Sequence, residues 1–137
     1  MIKSEQLFLK RLTQTPELKH TFKKTQNRYE YYDFFNENRT IYIELKERNY
    51  KSHIFDTIYI NRSKLALSEL ELTPDTTVKA VIFIFIFTDK IIFYPYRQND
   101  LMKLESSYIY NQRVAHIPRE ICITGYKKLI EYINFIE

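Results

Sequence analysis

The chain has 137 residues, 45% hydrophobic and 28% charged, a composition typical of one globular domain spanning residues 1–137. A net charge of +4 is compatible with a polyanionic partner but is too small to demonstrate one. The single cysteine excludes an internal disulfide and a cysteine-based zinc site. The single glycine excludes a glycine-rich phosphate loop and argues against a nucleotide cofactor.

The N-terminal half is predicted to begin with helices and to continue with a β-hairpin. Leu7, Phe8 and Leu12 recur at helical spacing, and the helical pattern resumes after Pro16, as one interrupted helix or two short ones. β-forming residues then flank an Asn-Glu-Asn turn, which indicates two antiparallel strands. The predicted elements are helices over residues 4–13 and 17–28, a strand over 29–35, a strand from Ile41, a strand over 55–60 and a helix over 64–72.

The C-terminal half is predicted to contain the centre of the sheet. Residues 78–87 are apolar at nearly every position, which is typical of a strand buried on both faces. An apolar stripe after Thr124 predicts a final helix. Between them we expect a strand over residues 91–96, a polar loop over 97–105, a short strand over 107–110 and irregular structure to 118. The pattern predicts an α/β protein with a mixed central β-sheet flanked by helices.

A group of charged residues lies on the predicted hairpin. Glu44 and Lys46 are two residues apart on one strand, so both side chains leave the same face, with Cα atoms roughly 6.6 Å apart. A hairpin loop of two or four residues would place Asp33 opposite Tyr42 and diagonal to Glu44, whereas a three-residue loop would turn Asp33 away. Because Asn38 can adopt the positive φ of a tight turn, we expect the three charged side chains to converge.

Two carboxylates beside a lysine suit a divalent metal ion. Mg²⁺ prefers hard oxygen ligands, so Asp33, Glu44 and the backbone carbonyl of Leu45 would hold it. The metal would lower the pKa of a bound water, and Lys46 would orient or deprotonate that water and stabilise charge on phosphorus. The alternative is a solvated charge pair on the sheet surface, worth less than ~1 kcal/mol.

The segments YYDF, which contains Asp33, and IYIELK, which contains Glu44 and Lys46, resemble the PD-(D/E)XK nuclease superfamily. The resemblance covers about residues 3–90 and is to compact members, including viral nucleases and archaeal Holliday-junction resolvases. It implies an αβββαβ core of restriction-endonuclease-like type, here with an extra C-terminal strand and helix. It also implies Mg²⁺- or Mn²⁺-dependent hydrolysis of DNA, including branched or junction DNA. No proline precedes Asp33, a departure that the family tolerates.

The resemblance also implies roles for residues outside the motif. Lys64, at the start of the second core helix, matches an accessory polar residue of the family. Many resolvase-like members carry a metal-binding glutamate on the first helix, for which Glu5 and Glu17 are candidates and Glu5 is favoured by its regular amphipathic segment. The side chains expected to contact the DNA backbone are Arg48, Lys51 and His53.

A domain this small offers little surface for a duplex, so we expect a homodimer whose contact lies after residue 105.

The start of the chain lacks a signal-peptide pattern, and the apolar run over residues 80–87 is too short to cross a bilayer. We therefore expect a soluble intracellular protein, cytoplasmic or of viral or phage origin. Two alternatives stay open: a catalytically silent nucleic-acid-binding or assembly module on the same fold, and an unrelated α/β interaction domain with surface charges.

Overall fold

The computed structural model describes residues 3–26 and 31–136. This part of the chain forms four helices and nine strands. The helices are α1 (Lys3–Thr13), α2 (Arg62–Glu71), α3 (Asp100–Lys103) and α4 (Tyr126–Phe135), with a 3-10 turn at Arg119–Ile121. The strands are β1 (Phe22–Lys24), β2 (Phe34–Asn36), β3 (Ile41–Glu47), β4 (Thr57–Asn61), β5 (Ala80–Ile86), β6 (Ile91–Pro95), β7 (Glu105–Ile109), β8 (Gln112–Pro118) and β9 (Ile123–Thr124).

Two sheets organise the molecule. The main sheet has six strands in the order β1-β2-β3-β5-β6-β9, and the smaller sheet has three in the order β4-β8-β7. In the main sheet β3 and β5 are parallel, with Glu44 beside Phe83, and the other neighbouring pairs are antiparallel. The protein is therefore a mixed α/β structure whose central sheet combines parallel and antiparallel strands, as the sequence pattern predicts.

The main sheet is covered on both faces. Phe8 of α1 and Leu129 of α4 pack with Ile43 on one face. Leu65 of α2 and Ile117 of the smaller sheet pack with Phe83 on the other face. β5 contributes to both layers because its residues alternate between two buried faces, which explains its nearly continuous apolar sequence.

Several predicted elements are confirmed, and two are wrong. The first helix, the buried strand, the strand that follows it, the helix before it and the final helix all form close to their predicted positions. The helix predicted over residues 17–28 does not form where the chain is described; β1 occupies its centre because Phe22 and Lys24 pair with β2. Of the strand predicted over residues 29–35, residues 29 and 30 lie outside the described part, and β2 begins only at Phe34.

The part of the chain after β5 contains four strands, β6 to β9, where the sequence predicts two, over residues 91–96 and 107–110. The predicted strand at 55–60 forms as β4, but it pairs with β8 instead of joining the main sheet. β8 forms where irregular structure was predicted, because it is held between β4 and β7. Its alternation is weak in sequence, since two of its buried residues, Val114 and Ala115, are adjacent. No helix among the described residues has the length and apolar character needed to cross a bilayer.

The β2–β3 hairpin has the even-numbered loop that brings Asp33 to the face of Glu44, although its register differs from the predicted one. Phe34 pairs with Ile43 and Phe35 with Tyr42, so Asp33 is level with Glu44 and not with Tyr42. The shift of two residues preserves the parity of the strand. It arises because β2 extends through Asn36, leaving four residues, 37–40, between the two strands.

The buried side chain of Asn36 stabilises this loop. Its Oδ1 accepts hydrogen bonds from the backbone N–H groups of Thr40 and Ile41 at 2.8 and 2.9 Å. Its Nδ2 donates to Asn38 Oδ1 and Thr40 Oγ1, each at 2.8 Å. One buried amide thus satisfies two backbone donors where β3 begins, and this fixes the point at which the strand pairs.

Replacing Asn36 with alanine is expected to lower the free energy of unfolding by about 2–3 kcal/mol, because two buried backbone donors lose their acceptor. Urea unfolding of the variant and the wild type measures the effect. Asn38→Ala is the matched control; it removes only side-chain contacts at an exposed position and should cost less than about 1 kcal/mol. Equal losses in the two variants would contradict this role for Asn36.

Candidate active site

Asp33 immediately precedes β2, and it bonds to β3 through both its backbone and its side chain. Its backbone N–H donates to the Ile43 carbonyl at 2.9 Å. Its Oδ2 accepts the backbone N–H of Leu45 at 2.8 Å. The carboxylate therefore accepts the Leu45 N–H, a β3 donor that a backbone carbonyl would accept if β2 extended further towards the N-terminus.

Glu44 is a buried acid on the sheet face that α2 covers. Only 3% of its surface is exposed. Its Oε2 lies 3.0 Å from the Nζ of Lys64, the third residue of α2, and 3.7 Å from the Nζ of Lys46. Lys64 also donates to the carbonyl oxygen of Tyr31. Two lysines from different elements therefore meet one buried carboxyl group.

A second acid–base pair reaches Asp33 from α1 and β1. Glu5, in the first turn of α1, is buried and makes an ion pair with Lys24 of β1. The Nζ of Lys24 also lies 3.4 Å from Asp33 Oδ1. Asp33 thus connects the Glu5–Lys24 pair with Glu44, and the six side chains form one charged cluster: Glu5, Lys24, Asp33, Glu44, Lys46 and Lys64.

The pKa values of the two facing carboxyl groups are shifted in opposite directions. Burial raises the pKa of Glu44 to about 7, and the adjacent charge of Asp33 adds to this rise. Burial also acts to raise the pKa of Asp33, but hydrogen bonds from the Glu44 carboxyl and the Leu45 N–H, with the charge of Lys24, lower it overall. Below about pH 7 the two carboxyl groups therefore share a proton, which Glu44 holds.

The pair has the chemistry of a magnesium site. Among residues 3–26 and 31–136, no group of three or more His, Cys, Asp or Glu side chains is arranged to hold a metal. Mg²⁺ does not require one, since it is commonly held by one or two carboxylates with waters and substrate phosphates. A cation between Asp33 and Glu44 would replace the shared proton. The Leu45 carbonyl leaves β3 on the same side as its N–H, towards Asp33, and could contribute a third oxygen.

Because of Glu44, the free energy of unfolding is expected to fall as the pH rises from about 4.5 to about 7. In this range the folded chain keeps a proton on Glu44 that the unfolded chain has lost, so raising the pH favours unfolding. The total change is up to about 3 kcal/mol. Urea unfolding at several pH values should show this fall in the wild type and in Glu131→Gln, but not in Glu44→Gln. An unchanged pH dependence in Glu44→Gln would contradict the assignment.

Most of the candidate site residues predicted from the sequence lie together. Asp33, Glu44, Lys46 and Lys64 are within one cluster, and Glu5, not Glu17, is the acid of the first-helix region that reaches it. The Glu17 carbonyl instead accepts a hydrogen bond from the side chain of Asn134, near the end of α4. The roles assigned to these residues in binding and catalysis stay predictions.

The three predicted DNA contacts have different surroundings. Arg48 is half-buried; its guanidinium donates to the Tyr59 carbonyl at 3.2 Å and lies 4.8 Å from the Tyr59 ring centroid. Lys51 and His53 are exposed in the loop between β3 and β4. Arg48 is therefore held by the protein, whereas Lys51 and His53 are accessible to a partner.

Sequence reasoning did not identify Lys24 as a member of the cluster, because its segment was predicted to be helical. β1 has only three residues, too few to show the alternation of a strand. Lys24 lies beside Phe34 because β1 pairs with β2, which is a tertiary interaction. One feature of the sequence could have indicated that Lys24 faces the interior. Phe22 is apolar and lies two positions before Lys24, and residues two apart on a strand share a face.

The chain matches no protein-family model, and no curated protein is significantly similar to it in sequence.

Proposed function

We propose that the chain is a Mg²⁺- or Mn²⁺-dependent nuclease that hydrolyses phosphodiester bonds in DNA. The observation that carries this proposal is the pairing of two carboxyl groups, one immediately before β2 and one on β3, with the Nζ of Lys46 3.7 Å from Glu44. An Asp on one strand and a Glu-x-Lys on the next is the arrangement that the resemblance to PD-(D/E)XK nucleases implies.

The order of the elements around the pair supports the proposal. α1 is followed by an antiparallel meander of β1, β2 and β3, then by α2, and then by β5, which is parallel to β3. This order is compatible with the proposed αβββαβ core of restriction-endonuclease-like type, in which β4 would be an insertion before α2. The strands assigned to this core differ from those expected from the sequence, since β1 takes the place of the strand at 55–60.

Each charged residue of the cluster has a distinct task in the proposed reaction. A bound Mg²⁺ would supply an activated water and neutralise charge on the phosphate. Asp33 and Glu44 provide its oxygen ligands, and Asp33 is oriented by the Leu45 N–H. The Lys46 ammonium, 33% exposed, directs the attacking water and stabilises negative charge on the phosphoryl oxygens.

The remaining residues of the cluster position the ligands. Lys64 lies 3.0 Å from Glu44 and favours its ionised form, which is the form that binds a metal. Lys24 does the same for Asp33 and is itself held by Glu5. Glu5 is close enough to the pair to lower the pKa of Asp33 by hydrogen bonding, which suits an outer ligand reached through a water molecule.

The homodimer is part of the same proposal. β7 is at the edge of the smaller sheet and is mostly exposed, so its backbone can pair with a second copy. Two copies would present two cleavage sites to one DNA molecule. Sedimentation of the purified chain with and without DNA tests this part separately.

Incubation of the purified chain with duplex, single-stranded and branched DNA, in Mn²⁺ or in EDTA, tests the proposed activity. We expect cleavage only with the metal, and its loss in Glu44→Ala and Lys46→Ala. Lys128→Ala, at an exposed position of α4, is the matched control and should cleave as the wild type does. Cleavage that persists in both site variants would contradict the assignment.

A specific observation supports a second function, a catalytically silent nucleic-acid-binding or assembly module. The cluster pairs three acids with three lysines, so every carboxyl group has a cationic neighbour without a metal. Such a network could serve only to hold α1, β1 and α2 on the sheet. DNA binding that is insensitive to EDTA, with no cleavage of any substrate, would favour this module over the nuclease.

A further inference from the structure

Two large apolar side chains are exposed next to each other in the loop between β3 and β4. Ile54 and Phe55 are 54% and 53% exposed. The sequence pattern placed Phe55 at the start of a strand, but β4 begins only at Thr57, which leaves Phe55 outside the sheet. Adjacent exposed apolar residues are costly to solvate and often mark a binding surface.

The loop that carries them is fixed to the body of the protein at several points. The backbone N–H and the hydroxyl of Ser52 both donate to the Asp89 carboxylate at 2.9 Å. The Arg119 guanidinium donates to the Phe55 carbonyl through Nε at 3.1 Å and through Nη2 at 2.6 Å. The rings of Phe55 and Tyr50 meet edge to face, with centroids 5.2 Å apart. The apolar pair is therefore presented by an ordered loop, so binding would cost little conformational entropy.

The loop continues directly from the strand that carries the candidate site. Glu44, Lys46 and Arg48 alternate along β3 and its continuation, so they lie on one face, with the Cα atoms of Glu44 and Arg48 roughly 13 Å apart. The Arg48 N–H extends the pairing with β5 by donating to the Ile86 carbonyl at 2.8 Å. The loop therefore begins two residues after Lys46, whose side chain is 33% exposed, so a polymer bound at Lys46 would lie close to the loop.

The charges around the apolar pair favour a polyanion. Lys51 and His53 are exposed in the same loop, immediately before the pair. Two acids lie nearby: Asp89 is engaged by Ser52, and Asp56 is exposed beside Phe55. Lys51 can neutralise a phosphate while the Phe55 ring offers a flat face to a nucleobase. Base–aromatic stacking of this kind requires a base whose face is free, which a continuous duplex does not provide.

We propose that Ile54 and Phe55 form a wedge that stacks on an unpaired base where duplex DNA opens, as at a fork or branch, and so selects such DNA for the candidate site. This inference rests on the proposed nuclease function for its link to cleavage. The binding of the unpaired base does not depend on turnover and is measured without it.

Binding to forked DNA in EDTA tests the wedge. The probe carries 2-aminopurine at the first unpaired position, and a fully paired duplex of the same sequence is the reference. We expect a fluorescence change on binding of the wild type, and a roughly 5- to 100-fold weaker affinity for the fork when Ile54 and Phe55 are both replaced by serine. Affinity for the duplex should stay within about twofold. Leu70→Ser, at a 68% exposed position of α2, is the matched control and should bind as the wild type does.

Unchanged binding of the fork by the double variant, or equal weakening of fork and duplex binding, would overturn the wedge. A reduced self-association of the variant together with unchanged fork binding would show that the patch contacts a second copy, and would overturn it as well. If the double variant does not fold, Phe55→Leu, which keeps the apolar surface but not the aromatic face, is expected to weaken fork binding alone. Fork binding that depends on Phe55, without cleavage in Mn²⁺, would contradict the nuclease proposal and leave the wedge intact.

Discussion

Replacing Lys46 with methionine is expected to lower the rate constant of Mn²⁺-dependent DNA cleavage by about 10²- to 10⁴-fold. Methionine keeps an unbranched apolar side chain but removes the ammonium group that lies 3.7 Å from Glu44 Oε2. In the proposed reaction that group stabilises charge that develops on the phosphoryl oxygens, so its loss should affect the chemical step more than DNA binding. Single-turnover cleavage at saturating protein concentration measures that step directly.

Two controls separate this effect from a general loss of charge or of structure. Lys128→Met removes a cation from an exposed position on α4 and should cleave within about twofold of the wild type. Because Lys46 is 33% exposed, its replacement should leave the fold intact, as a thermal unfolding curve can verify. A Lys46→Met rate constant within about threefold of the wild type would show that Lys46 takes no part in the reaction.

The convergence of Asp33 and Glu44 could be predicted because it depends on parity alone. Alternation of side chains places Glu44 and Lys46 on one face, and any even-numbered loop brings Asp33 to the same side. The exact register could not be predicted, since it depends on how far β2 extends before the chain turns. That point is set by the buried Asn36, whose hydrogen bonds form only when the hairpin is closed.

The smaller sheet and the position of Lys24 could not be predicted for a related reason. β1 is too short to show alternation, β8 alternates weakly, and the pairing of β4 with β8 joins segments that are far apart in the chain. Lys64 was expected near the site from the resemblance alone, although the start of the helix that carries it is a local feature and could be predicted. Long, strongly patterned elements such as β5 were thus predictable, whereas short strands that depend on a partner were not.

Mn²⁺ is expected to raise the melting temperature of the wild type, and replacement of both facing acids, as Asp33→Asn with Glu44→Gln, is expected to abolish that rise. A ligand at 100 times its dissociation constant adds about 2.7 kcal/mol to the free energy of unfolding, which corresponds to roughly 5–10 °C. The amides keep the size of the acids but are poor ligands for a hard cation. Differential scanning fluorimetry over a range of Mn²⁺ concentrations measures the effect without any DNA.

The difference between melting temperatures with and without metal is the informative quantity, because the double variant also changes the apo protein. Removing both acids leaves Lys46 and Lys64 without their carboxylate partner, leaves Lys24 paired with Glu5 alone and removes the shared proton, so its metal-free melting temperature will differ from the wild type. A matched pair of exposed substitutions, Asp75→Asn with Glu131→Gln, removes the same charge elsewhere and should keep the full Mn²⁺ response. A Mn²⁺ response that survives in the Asp33–Glu44 variant would place the metal elsewhere. The absence of any response in the wild type, with DNA binding retained, would instead favour a salt-bridged module that binds DNA without cleaving it.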